Sequence, residues 1–173
     1  MTLFGQKMET LDDLFVHELK AIYYAERRIT EALPQMIEMA TSPDLRMGFE
    51  QHLRETEGQL RRLERVFEMH GVTPEEGSCP AIDGIIKDNK VEASDILDKS
   101  VLDAALAGGA QKVEHHEIAA YGTLIAWARE LGRDDCASVL AETLAEEKAT
   151  DEKLTALAEA RINARAEMAR EPA

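Results

Sequence analysis

The chain has 173 residues, with 34 Asp and Glu against 20 Lys and Arg, and its formal net charge is −14. This excess of negative charge argues against a surface for nucleic acid or for an anionic membrane, because both partners are themselves polyanions. The first residues lack the apolar core of a signal peptide, and no stretch approaches about eighteen uncharged apolar residues, so we expect a cytoplasmic protein with no membrane partner.

Residues 1–173 are expected to form a single all-helical domain, since the chain is long enough to bury a core and contains few prolines. The first amphipathic helix is predicted from Thr10, whose hydroxyl can cap it, to about Ala40. The sequence Thr41-Ser42-Pro43-Asp44 indicates a new helix, because a hydroxyl cap precedes a proline and an acid. This second helix is predicted to end at about His70.

The second half of the chain repeats this helical hairpin after a long connection. Residues 72–97 form the connection, and Ala81 to Ala93 is predicted as a short helix within it. The third long helix is predicted from Asp98 to Leu131, and the fourth from about Arg133 to Met168. Hairpin, long crossover and hairpin is a recurrent order in four-helix bundles. The predicted fold is therefore an all-α antiparallel four-helix bundle with a long crossover that contains a short helix.

Two glutamates stand where the helical pattern requires apolar side chains. Glu26 interrupts the apolar stripe of the first helix, and Glu117 interrupts that of the third. A carboxylate inside a protein is unfavourable unless it is protonated, paired or bound to a cation. Glu55 and Glu146 lie at matching distances beyond the two predicted turns, so each hairpin can present two facing carboxylates. Di-metal bundles are built from such carboxylates, and we predict a metal site at mid-bundle.

On the fourth helix, two neighbouring glutamates compete for the inward position. The internal repeat selects Glu146, whereas the apolar stripe points Glu147 and Asp151 inward. Since successive helical residues differ by about 100°, both glutamates cannot face the centre equally, and we favour Glu147. On the second helix, Glu55 lies beside the stripe with His52 one turn earlier.

Di-iron bundles usually carry Glu-x-x-His on two helices, but here Gly58 and Ala149 occupy the histidine positions. Other side chains can take their place. His52 and Glu114 each lie one helical turn before a predicted ligand and share its face. A set rich in carboxylates and poor in imidazole suits iron or manganese better than zinc or copper.

The same residues also allow interpretations without a metal. Glu114 and Glu117 can be partly solvated, with a basic neighbour such as Lys112 as their partner. His52 can be a surface histidine or one whose hydrogen bonds are satisfied by the protein. We interpret Tyr121 as a packing residue, with hydrogen bonding to the carboxylates as the alternative.

Several segments resemble the YciE/YciF family of stress proteins. They are Tyr24–Arg28, His52–Gln59, the segment around Cys79, Ala110–Leu124 and Leu144–Leu154. The similarity covers roughly residues 8–165. It implies a ferritin-like fold and a cytoplasmic bacterial bundle that is usually dimeric, is linked to stress responses and has no established reaction.

The acidic positions of that family map onto six predicted ligands of this chain, and His52 is a seventh; the six are Glu26, Glu55, Glu114, Glu117, Glu147 and Asp151. We expect Glu26 and Glu117 to be terminal ligands, and Glu55 and Glu147 to bridge, in a site for one or two iron (or manganese) ions. Oxidation of Fe(II) is the natural reaction of such a site, and catalytic turnover is left open. The alternative is a non-catalytic structural or interaction protein that keeps the ferritin-like fold without metal chemistry. A homodimer is expected in either case.

Overall fold

The computed structural model describes residues 7–169. In chain order its elements are α1 (Leu11–Met39), α2 (Pro43–His70), α3 (Pro80–Asp95), α4 (Lys99–Glu130), α5 (Asp134–Leu157), a π-helical turn (Ala158–Ile162) and α6 (Asn163–Met168). The long helices and the short crossover helix expected from the sequence are all present, and no strand occurs among the described residues. The all-α prediction is confirmed.

The ends of the helices follow from local chemistry. The hydroxyl of Thr10 accepts a hydrogen bond from the backbone N–H of Asp13, whose carboxylate accepts one from the N–H of Thr10. Gly71 and Gly132 follow α2 and α4 with φ angles of 81° and 72°, in the left-handed region that favours glycine. The connections from α1 to α2 and from α4 to α5 are short, so the two helices of each hairpin run antiparallel.

The end of the last long helix differs from the prediction. The pattern predicts a continuous helix to Met168, whereas a π-helical turn interrupts it at Ala158–Ile162. This turn brings Ile162 into the core, where it is 4% exposed, and α6 then packs on α4. The four residues before Ile162 alternate alanine with charged side chains, so no apolar period marks the interruption.

The long helices enclose one hydrophobic core. Both α1 and α5 pack against α2 and α4, while the crossover helix α3 lies outside on α4 and α1. Most of the largest fully buried side chains are aromatic or aliphatic, among them Phe15, Phe49, Phe67, Leu124 and Leu140. None of the helices in the described part of the chain has an apolar stretch long enough to cross a membrane.

A buried aspartate attaches the first turn to α4. Asp103 is 5% exposed. Its carboxylate accepts hydrogen bonds from the backbone N–H groups of Thr41 and Ser42, both at 2.8 Å, and from the Thr41 hydroxyl at 2.6 Å. Hydrogen bonds to an ionised acceptor are stronger than neutral ones. The α1–α2 turn is therefore held across the end of the bundle.

We expect Asp103→Ala to lower the free energy of unfolding by about 3 kcal/mol, because it leaves the N–H groups of the turn without their acceptor. Urea denaturation followed by circular dichroism measures this change. Asp98→Ala is the control, since Asp98 caps the same helix from an exposed position and its loss costs about 1 kcal/mol. Equal losses for the two variants would contradict the role given to Asp103.

Candidate metal centre

Five polar side chains lie in the interior of the bundle and come from all of its long helices. Glu26 is on α1, His52 on α2, Glu114 and Glu117 on α4, and Glu147 on α5. The glutamates are 0% exposed, and His52 is 4% exposed. The apolar side chains above and below them belong to the hydrophobic core, so the cluster has little contact with bulk water.

Four of these side chains are close enough to share an ion. His52, Glu114, Glu117 and Glu147 each offer one ligand atom, and these atoms all lie within 4.8 Å of one another. Nitrogen or oxygen ligands at about 2.0–2.2 Å from one ion lie at most about 4.4 Å apart. Small side-chain movements are therefore enough to close the group around a cation.

Among residues 7–169, no lysine or arginine forms an ion pair with the buried glutamates. Both carboxyl oxygens of Glu114, Glu117 and Glu147 lack an N–H or hydroxyl donor among the described residues. Burial, followed by the charge of neighbouring carboxylates, raises the pKa of Glu117 and Glu147 well above the usual range. Burial also raises the pKa of Glu114, to about 8. The cluster must hold either protons or a cation at neutral pH.

The glutamates lie in two pairs, and each pair can share a proton when no cation is bound. The hydrogen bond between Glu26 and Glu117 lowers the pKa of Glu26 and raises that of Glu117, and Glu114 and Glu147 are related in the same way. A proton held by either member of a pair therefore belongs to the pair as a whole. For Glu26, burial outweighs this effect and its pKa is still raised well above the ordinary value.

His52 is a neutral imidazole in this setting. Burial, with a smaller contribution from Lys153, lowers its pKa to about 4. Its Nε2 lies 3.2 Å from Glu114 Oε1, and at neutral pH this contact is not an ion pair. Its Nδ1 is buried without a partner among the described residues. A neutral ring offers a lone pair to a metal ion.

Tyr121 is hydrogen-bonded to the cluster, which the packing interpretation of this residue misses. Its hydroxyl donates to Glu26 Oε1. Burial, followed by the charge of Glu26, raises the Tyr121 pKa well above 10, so it stays protonated. Tyr121 follows Glu117 by one helical turn, and this spacing was the available signal.

The choice between the neighbouring glutamates of α5 is clear in the structure. Glu147 faces the interior, whereas Glu146 accepts hydrogen bonds from Arg62 at 2.5 and 2.7 Å and from Gln59 at 3.2 Å. Lys112, the partner considered for Glu114, instead pairs with Asp88 and Glu92 on α3.

Two predicted ligands lie outside the buried group. Half-buried Glu55 accepts hydrogen bonds from Gln51 at 2.7 Å and from Thr150 at 3.5 Å. Asp151 accepts one from Gln111 at 3.1 Å and lies 3.4 Å from His115 Nε2. The structure thus brings together Glu26, His52, Glu114, Glu117 and Glu147, while a ligand role for Glu55 and Asp151 stays a prediction.

Comparison with known proteins relates the chain to a family along most of its length. The profile of a family described as a domain of unknown function, DUF892, matches residues 10–167. YciF of Escherichia coli strain K12 is 42% identical over an alignment of 165 residues, and the match covers 92% of this chain and 97% of that protein.

Solved structures agree with this relationship. The E. coli stress protein YciF superposes with a TM-score of 0.85 at 42% identity, covering 90% of this chain and 99% of that chain. YcfI of Rhodopseudomonas palustris, described as a candidate structural protein, has a TM-score of 0.86 at 53% identity, covering 88% and 98%. A Xanthomonas campestris protein at 24% identity has a TM-score of 0.75, covers 94% and 100%, and shows the fold alone. The ferritin-like bundle is confirmed, and the chain belongs to the DUF892 family as a relative of the stress protein YciF.

Proposed function

We propose that this protein binds one or two ions of iron, or of manganese, at the centre of the bundle. The observation that carries the proposal is the set of buried glutamates with no basic partner among the described residues. An oxygen-rich set with a single imidazole matches the preference of these hard cations. The negative charge of the glutamates would then be neutralised by the ion rather than by protons.

The residues nearest the ion would have different roles in binding it. Glu114, Glu117, Glu147 and His52 would hold it directly, because their ligand atoms already lie within 4.8 Å of one another. Glu26 would be a terminal ligand oriented by the Tyr121 hydroxyl. We further propose that Glu55 and Asp151 join a second ion at the more exposed edge, since both are half-buried next to the cluster.

The centre would serve metal or oxidative-stress handling. The E. coli relative is described as a stress protein, and a carboxylate-bound iron centre supplies redox chemistry with oxygen or peroxide. Fe(II) would be its natural substrate, and this chain's residues would bind it, exclude bulk water and release protons from the carboxyl pairs. We propose that the protein acts in the cytoplasm as a homodimer, without nucleic-acid or membrane partners.

The second candidate is a structural or interaction protein that uses the same fold without metal. The carboxyl pairs and the Tyr121 hydroxyl supply a hydrogen-bonded network that needs no cation. The Rhodopseudomonas relative is described as a candidate structural protein. Metal content distinguishes the two functions.

We expect protein purified without chelator to contain iron or manganese, and its melting temperature to rise when Fe(II) or Mn(II) is added to the metal-free form. Elemental analysis and calorimetry measure these quantities. Glu147→Gln should weaken binding about tenfold or more, because even the outer partners of metal ligands contribute that much. The adjacent Glu146→Gln, which alters a partner of Arg62, is the matched control and should bind normally. Metal content near zero together with an unchanged melting temperature would favour the structural protein.

The metal-free protein should lose stability as pH rises through the neutral range. The folded state keeps the proton of Glu114 up to about pH 8, whereas the unfolded chain releases it near 4.5. Each retained proton therefore lowers the free energy of unfolding by up to about 1.4 kcal/mol per pH unit between these values. Urea titrations in chelator at pH 5.5 and pH 7.5 measure the slope. Glu114→Gln should flatten it, and a slope unchanged by that substitution would show that Glu114 does not titrate as described.

The affinity for the ion should increase as the pH rises. Binding must displace protons from the carboxyl pairs, so the dissociation constant should fall by about tenfold per pH unit for each proton released. Titrations with Mn(II) in two buffers of different ionisation enthalpy report the number of protons. Release of no protons would contradict the shared-proton description of the cluster.

A further inference from the structure

A cavity of about 300 Å³ lies between α1, α3 and α4 and reaches the metal centre. Its walls are mainly apolar and include Ile29, Leu33, Met36, Ile86, Leu106 and Val113. Its buried end is formed by His52 and Glu114, which also belong to the cluster. An engineered cavity of about 150 Å³ holds benzene, so this one has room for about twelve non-hydrogen atoms.

The outer end of the cavity has a different chemistry. Gln35, Lys90 and Ser94 line it there and are exposed. Lys90 forms no ion pair with any residue that the structure describes, and the carboxylates two positions away along α3, Asp88 and Glu92, pair with Lys112. The cavity therefore has an unpaired cation at its mouth and an acidic cluster at its inner end.

The wall between these ends is held in place by a close contact of α3 with α4. Asn89 donates a hydrogen bond from Nδ2 to the Gly109 carbonyl oxygen at 3.0 Å. A Cβ atom at Gly109 would lie 2.8 Å from Asn89 Cγ, so only glycine allows this approach. The Asn89 Oδ1 atom is buried beside the cavity without a partner among residues 7–169. The contact between α3 and α4 thus fixes the position of this wall.

We propose that this cavity binds a medium-chain alkyl carboxylate of about ten carbon atoms, with its carboxylate at Lys90 and its chain end beside His52 and Glu114. The apolar walls match the chain, and the volume matches its twelve non-hydrogen atoms. The charges set the direction, because a carboxylate at the inner end would meet the buried glutamates. Binding itself needs no metal ion. A reaction at the chain end would require the metal centre proposed above, so that part of the inference rests on the proposed function.

Calorimetric titration of the metal-free protein with decanoate, decan-1-ol and decylammonium tests the ligand class. Decanoate should bind most tightly, the alcohol about fivefold more weakly, and the amine more weakly still, as expected for one partly exposed charge pair. Lys90→Gln should reduce decanoate affinity to that of the alcohol. Lys87→Gln, one turn away on α3 and outside the cavity, should change nothing. Equal or tighter binding of the amine would overturn the proposal.

A second variant pair tests the location. Ala105→Phe places a ring in the cavity and should abolish binding of all three compounds, whereas Ala126→Phe at an exposed position of α4 should not. A crystal of the unmutated protein with 10-bromodecanoate tests the direction without any substitution. Anomalous density for bromine beside His52 and Glu114 is expected. Bromine at the Lys90 end, or binding that survives Ala105→Phe, would refute the assignment.

Discussion

The central constraint on this molecule is the burial of acidic side chains that have no basic partner in the described part of the chain. Four glutamates contributed by α1, α4 and α5 are fully enclosed by the bundle. Their mutual repulsion and loss of hydration must be offset by protons or by a cation, because they are shielded from bulk water. The rest of the site is consistent with this requirement: Tyr121 donates to Glu26, and His52 contributes a neutral ring. The hydrophobic core and the helix caps hold the carboxylates in this arrangement.

The surroundings of the cluster differ on its two sides. Toward α3 the neighbours are apolar and leave a cavity of about 300 Å³. Toward α2 and α5 a second cavity of only about 20 Å³, enough for one water molecule, is lined by the polar side chains of Glu55, Thr150 and Lys153 and by apolar ones such as Phe49 and Leu154. The two sides therefore differ mainly in the size of the space that each leaves beside the cluster.

The sequence predicted the helical bundle more completely than it predicted the members of the acidic cluster. Glu26 and Glu117 were identifiable because a carboxylate in an apolar stripe is a strong signal, and both are buried as that signal indicates. Periodicity assigns a helix face but not how far a side chain on its flank reaches inward, which is why Glu55 and Asp151 lie outside the buried group. Helix–helix contacts decide that reach. The cavity depends on where α3 lies, and the residues of a long crossover carry no pattern that gives its position.

The crossover helix also has an evolutionary consequence. Since α3 supplies one wall of the large cavity and none of the buried acids, replacement of its inward side chains would reshape the cavity without disturbing the long helices. Relatives that keep the same acidic interior can therefore diverge in what they admit to it. Variation between homologues is expected to concentrate in this one segment, where natural selection can change specificity at little cost to folding.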